Sequence, residues 1–172
     1  EHDELASSIL ITNSKAVAEA VRKELAKQLS ELKRKAIAEK SIRKYGAVIV
    51  TKDLKEAVRI SDEIAPEHLE IMTEKPGELL KSVKNAGAIF LGKWTPEPLG
   101  DYMAGPNHTL PTGGTARFFS PLGVYDFMKR SSVLSFSKEG FMKLAKPVMA
   151  IAEIEGLTAH GNTIKVRYEK KS

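Results

Sequence analysis

Apolar residues along the chain recur in two patterns: short contiguous runs, and longer stretches in which they repeat at spacings of three and four. Ser7 to Thr12, Ala47 to Thr51, Leu69 to Met72 and Ala86 to Gly92 are of the first kind and read as strands, the first two of them buried. Between the first two, Ala16, Val17, Ala20, Val21, Leu25, Leu29 and Leu32 mark one side of a helix that Asn13 or Ser14 can cap, and Gly46 closes the helical region. Asp53 or Thr51 can cap a second helix, apolar from Leu54 to Ile64 and stopped by Pro66, and a third runs from Pro76 to Lys84.

The resulting β-α-β-α-β-α-β order predicts an α/β fold over residues 1–130, a parallel sheet with helices on both faces in an incomplete Rossmann-like arrangement. Residues 131–172 follow without another βα repeat and read as a C-terminal extension that leans on the domain or reaches a partner subunit. In it, Ser131 to Ser137 alternates polar and apolar like a half-exposed strand. Ser137 opens a helix whose stripe is Phe141, Leu144, Ala145, Val148, Met149, Ala152 and Ile154, with Met142 also read as core and Pro147 able to kink it. A last helix is expected over Thr163 to Tyr168, ending in a basic tail.

One stretch fits neither pattern. Thr95 to Thr115 holds four prolines and four glycines, which exclude a long helix or a central strand. It also holds Tyr102 and Leu110 and little net charge, so an ordered loop is expected, one that places Asp101 and His108 in a site. It leaves the carboxyl end of the fourth strand, the edge at which ligands of parallel sheets bind.

Composition narrows the function classes. The formal charge of +5 lies largely in Arg22 to Lys44 and the last eight residues, with Tyr168 the one aromatic residue among them, so no nucleic-acid surface is expected. The absence of cysteine excludes disulfides and thiolate metal sites. No apolar run reaches the roughly 18 residues of a membrane-spanning helix, and the acidic start lacks the features of a signal peptide, so a cytoplasmic setting is the expectation. No G-x-G-x-x-G turn follows a strand, and no G-x-x-x-x-G-K-[ST] occurs.

Chemistry must then rest on His2, His68, His108 and His160 and on the acids near them, Glu1, Glu67, Asp101 and Glu155. Imidazoles and carboxylates without thiolates suit a borderline divalent metal such as zinc, although a lone histidine is more often a surface or hydrogen-bonded residue. Glu67-His68 is the most suggestive pair, since it stands at the corner after Pro66 where packing needs neither residue. A histidine titrates near neutrality and a half-buried glutamate can be raised toward it, so the two can serve as proton-transfer groups.

Ala65-Pro66-Glu67-His68-Leu69, Asn85 to Gly92, Thr95 to Tyr102, Gly105-Pro106-Asn107-His108, Leu110 to Arg117 and Glu155 to His160, taken together and in this order, resemble histidinol dehydrogenase over the whole chain. The resemblance implies a homodimeric enzyme of histidine biosynthesis that oxidises L-histidinol to L-histidine in two NAD-dependent steps through a bound aldehyde. Matched by motif, His2, Asp101 and His160 correspond to zinc ligands, Glu67 and His68 to the catalytic bases, and His68, Asp101, His108, Glu155 and His160 to substrate-site residues. The segment with Glu155 and His160 would reach the partner's site. The family enzyme is well over twice this length; most of its NAD-binding domain and a glutamine zinc ligand precede the matching portion, so the chain alone is expected to have little or no activity. Two other classes stay open: a non-catalytic dimerising α/β module, and a zinc hydrolase in which Glu67 activates water.

Overall fold

The computed structural model describes residues 1–169; the basic tail expected at Lys170 and Lys171 lies outside the described residues. The chain divides into two compact units, Glu1–Asp126 and Phe127–Ser172.

The first unit runs β1 (Ile9–Thr12), α1 (Lys15–Glu31), α2 (Lys35–Tyr45), β2 (Ala47–Val50), α3 (Leu54–Ile64), β3 (His68–Ile71), α4 (Pro76–Leu80), β4 (Ala88–Leu91) and α5 (Glu97–Tyr102). The mixed α/β class and the parallel direction are as the pattern predicts. The four strands form two parallel pairs, however, with Ile9 opposite Ala47 in one and His68 opposite Ala88 in the other, and no ladder joins the pairs among the described residues.

Local chemistry accounts for the helix boundaries. The Ser14 hydroxyl accepts from the Val17 N–H and Asp53 from the Glu56 N–H, so of the alternative caps Ser14 and Asp53 act. The helical region expected up to Gly46 is two helices, because the chain turns extended at Leu32 (φ −70°, ψ 136°). Gly46 does end the second, but from an extended conformation (φ −73°); glycine is needed there because a Cβ would stand 2.5 Å from the Ile42 carbonyl oxygen.

The stretch expected to be an ordered loop contains a helix. Pro96 is the N-cap of α5 and Pro98 falls in its first turn, where the missing N–H costs nothing, so these prolines start a short helix. Beyond it the loop is pinned by hydrogen bonds: Asn107 Nδ2 donates to the Leu122 carbonyl, Leu122 N–H to Thr109, and Arg117 to the carbonyls of Gly114 and Glu63.

In the second unit α6 (Lys138–Ile154) continues through Pro147, and α7 (Thr158–Glu169) begins five residues before the expected Thr163. Ser137 caps α6 by accepting from the Gly140 N–H. Two sequence expectations fail here. Ser131 to Ser137 forms no strand, since no neighbouring strand pairs with its backbone among the described residues, and Val133 is 92% exposed. The α6 stripe buries only its small members: Ala145 and Ala152 face inward, and Gly161 of α7 approaches Ala152 closely enough that a Cβ would lie 3.7 Å from its methyl. Leu144, Val148, Ile154 and Met142 are exposed. A close crossing built on alanine and glycine leaves larger side chains outside it. Among the described residues no helix is long and apolar enough to cross a membrane.

Candidate active site

The site is built on the β3–β4 pair. The chain leaves α3 through Ala65, fully buried and held at φ 50°, a left-handed conformation that alanine tolerates poorly, and Pro66 comes directly after it. Gly87 N–H then donates to Pro66 and Ala88 N–H to Glu67, clamping the backbone of Glu67 against the start of β4. Gly87 is required at this contact, because a Cβ would meet the Glu67 carbonyl oxygen at 2.6 Å. Asp62 holds the same region from α3, accepting from the N–H groups of Lys84 and Asn85 at 2.9 and 3.0 Å. Glu67 is thereby half-buried at the corner, and His68, the first residue of β3, packs its ring against Phe90 at 5.9 Å between centroids.

α5 folds back from the end of β4 over this pair. Gly100 sits directly on the Phe90 ring, leaving no room for a side chain. The Glu97 N–H donates to Glu70 Oε1 at 2.8 Å. Glu97 and Asp101, four residues apart, share one face of the helix. Both carboxylates come to Nε2 of His68, Asp101 Oδ1 at 3.5 Å and Glu97 Oε1 at 3.8 Å. Burial pushes Glu97 above the ordinary carboxylate range, the hydrogen bond and charge of Asp101 add to this and Glu70 contributes, while His68 pulls the other way.

His68 Nε2 is closed off from solvent and has no hydrogen-bond partner among the described residues, an arrangement that native interiors rarely leave unanswered. One imidazole nitrogen and two carboxylate oxygens lying within 4.8 Å of one another fit a divalent cation of the zinc type. The same geometry suits proton transfer through His68, with carboxylates beside it to balance an imidazolium charge.

The other expected residues are placed differently. His2 is exposed near the N-terminus, where its carbonyl accepts from Arg34, and His108 is exposed in the loop; neither joins the cluster. Glu155 is the C-cap of α6 and His160 lies in the first turn of α7, both exposed on the second unit. The carboxyl edge of the sheet, expected to hold the site, does not carry the cluster: it gathers at the first residue of β3 because α5 runs back along the strands. Sequence reasoning assigned no role to Glu97 or Glu70. The available signal was the Glu97-x-x-x-Asp101 spacing behind Pro96, legible once the prolines are taken as a helix start.

A profile of the histidinol dehydrogenase family matches residues 1–168. The chain belongs to the histidinol dehydrogenase family. It is 59% identical over 167 residues to a histidinol dehydrogenase from Aquifex aeolicus, covering 97% of this chain and 39% of that protein. It is 58% identical to one from Geobacter sulfurreducens over the same shares of the two chains. A crystal structure of histidinol dehydrogenase from Elizabethkingia anophelis superimposes with a TM-score of 0.89 at 31% identity, covering 96% of this chain and 38% of that one. The chain thus spans about two fifths of the length of the histidinol dehydrogenases it matches.

Proposed function

We propose that the chain carries the acid–base pair and the substrate-binding half of a histidinol dehydrogenase, which oxidises L-histidinol to L-histidine in two steps through the aldehyde. The observation that carries this reading is the clamped Glu67-His68 corner with Asp101 3.5 Å from His68, in a chain of this family. His68 accepts the hydroxyl proton as the carbinol carbon gives up hydride. Glu67 then accepts a proton from the water that adds to the aldehyde carbon, so that the hydrate carries the second hydrogen to be lost as hydride. Asp101, with His2 and His160, would hold zinc, and His108 and Glu155 would contact the substrate. When bound, zinc would fix and polarise the substrate without accepting electrons. NAD is the expected hydride acceptor, but no glycine-rich phosphate turn follows any strand here, so its binding residues are assigned to the part of the relatives that this chain does not match. Glu155 and His160 would serve the site of the other subunit in a homodimer.

Calorimetry with zinc and histidinol tests the substrate half of this reading. The chain is expected to bind histidinol only with zinc present, and Asp101→Asn or His160→Ala to abolish that binding. Joined to the preceding portion of the Aquifex aeolicus relative, it should form NADH from histidinol, whereas alone it should form almost none. An inert joined protein, or turnover of an ester without NAD, would overturn the assignment.

A further inference from the structure

The imidazole of His68 is held by very little of its own. Its Nε2 has no hydrogen-bond partner among the described residues, and the acidic groups that come near it, Glu97 and Asp101, both lie on α5, an element joined to β4 and free in principle to slide along β3. Two features stop it from sliding. Gly100 seats the helix on Phe90, which fixes its height above the strands. Glu70 fixes its position along them: it stands two residues after His68, so on the same side of β3, and its carboxylate accepts the first N–H of the helix at 2.8 Å. The strand that carries the histidine therefore also carries the clip that positions the carboxylates facing it.

We infer that Glu70 and Glu97 act together as positioning residues for His68, Glu70 by locking the start of α5 to β3 and Glu97 by presenting a carboxylate to the Nε2 side of the ring. This rests on the reading of His68 as the proton-transfer group and adds to it. Asp101 is assigned to metal and substrate, which leaves Glu97 as the carboxylate able to stay with the imidazolium through the reaction. Glu70 works through the backbone of α5, whose first N–H it accepts. The role needs an acceptor at residue 70 and a negative charge at residue 97, and these requirements separate the two residues experimentally.

The chain joined to the preceding portion of the Aquifex aeolicus relative is the material for the activity test, with His68→Asn as the reference. Glu97→Gln keeps size and shape and is expected to lower kcat by about 10- to 100-fold, the usual effect of losing an outer partner, while KM for histidinol and zinc content stay unchanged. Glu70→Ala should lower kcat in the same way, and Glu70→Gln, whose amide oxygen still accepts the N–H, should restore it. Unchanged kcat in Glu97→Gln and Glu70→Ala, or failure of Glu70→Gln to restore a loss, overturns the inference. Loss of zinc from Glu97→Gln overturns it in favour of a ligand role. If His68→Asn itself is fully active, the reading of His68 fails and this inference with it; if His68→Asn is dead but Glu97→Gln is normal, only this inference fails. NMR on the chain alone tests the clip without reference to activity. Cross-relaxation between the His68 and Phe90 rings should weaken in Glu70→Ala and be regained in Glu70→Gln, and equal intensity in all three proteins would refute the clip.

Discussion

The first unit contains two parallel strand pairs of the same length, and the candidate site is built on only one of them. In β1–β2 the strand residues stay largely uncovered, with Ile9, Val48 and Val50 all exposed. In β3–β4 Ile71 and Phe90 are buried at 7% and 6% exposure. The difference arises from the segment that leaves the second strand of each pair. After β2 the chain enters α3 through the Asp53 cap, and among the described residues the imidazole–carboxylate cluster is not on this pair. After β4 a proline-started helix turns back and lays a glycine on Phe90 and two carboxylates beside His68. Coverage and chemistry come from the same six residues, because a helix that lies close enough to bury Phe90 also brings its acidic face to the start of β3. A parallel strand pair is thus only a platform, and the candidate site depends on the element that folds back over it.

The sharpest way to break this contrast is to lift α5. Gly100→Val must displace either the Phe90 ring or the helix, and an overpacked site of this kind costs about 1–3 kcal/mol in urea unfolding. It should also weaken zinc uptake by the chain. Gly77→Ala is the control: nothing lies within 4 Å of its Cβ, and alanine inside α4 should be neutral or stabilising by up to about 1 kcal/mol.

A smaller effect is expected from loosening the clamp behind the Glu67-His68 corner. Asp62→Ala strips the acceptor from the Lys84 and Asn85 N–H groups, which are partly open to water. The cost should be about 1 kcal/mol, the low end for an unsatisfied donor. Amide exchange should quicken at Gly87 and Ala88 while Ala47 and Thr51, which close the β1–β2 pair, remain unaffected.

The smallest effect is electrostatic. Glu97 has a folded pKa raised above its ordinary value of 4.5, so its carboxyl binds a proton more readily in the folded chain than in the unfolded one. Its contribution to stability is therefore fully present below 4.5 and is lost as the pH rises through the higher folded value. Glu97→Gln removes that loss. In the metal-free chain it should stabilise the fold at neutral pH by about a few tenths of a kcal/mol at most, read as a small rise in Tm, and leave it almost unchanged well below 4.5, because the group is 35% exposed and solvent screens it. A variant equally stabilised at both pH values would show that the carboxylate cluster is not under electrostatic stress.

The strands and most caps of the first unit were legible because they depend on near neighbours in sequence. Short apolar runs, a serine or aspartate three residues before a free N–H, and Pro76 in the first turn of α4 act over one or two turns of chain. The extension was less legible for the opposite reason. Ser131 to Ser137 has the alternation of a strand, but a strand exists only when another strand pairs with it, and the described residues supply none. In α6 the apolar spacing was right, yet alanine and glycine set the crossing with α7 and left Leu144, Val148 and Ile154 exposed.

By itself the sequence determined the α/β class, the parallel direction of the strands, the family, and the Glu67-His68 corner behind Pro66, since each is written in local spacing or in a contiguous motif. Only the tertiary structure decided that Glu97 joins Asp101 at His68, that Glu70 clips the helix in place, and that the strands pair two by two. The first two outcomes depend on the angle at which α5 returns across β3 and β4. That angle is set by the contact of Gly100 with Phe90 and by one hydrogen bond across 27 residues, and neither is visible to periodicity.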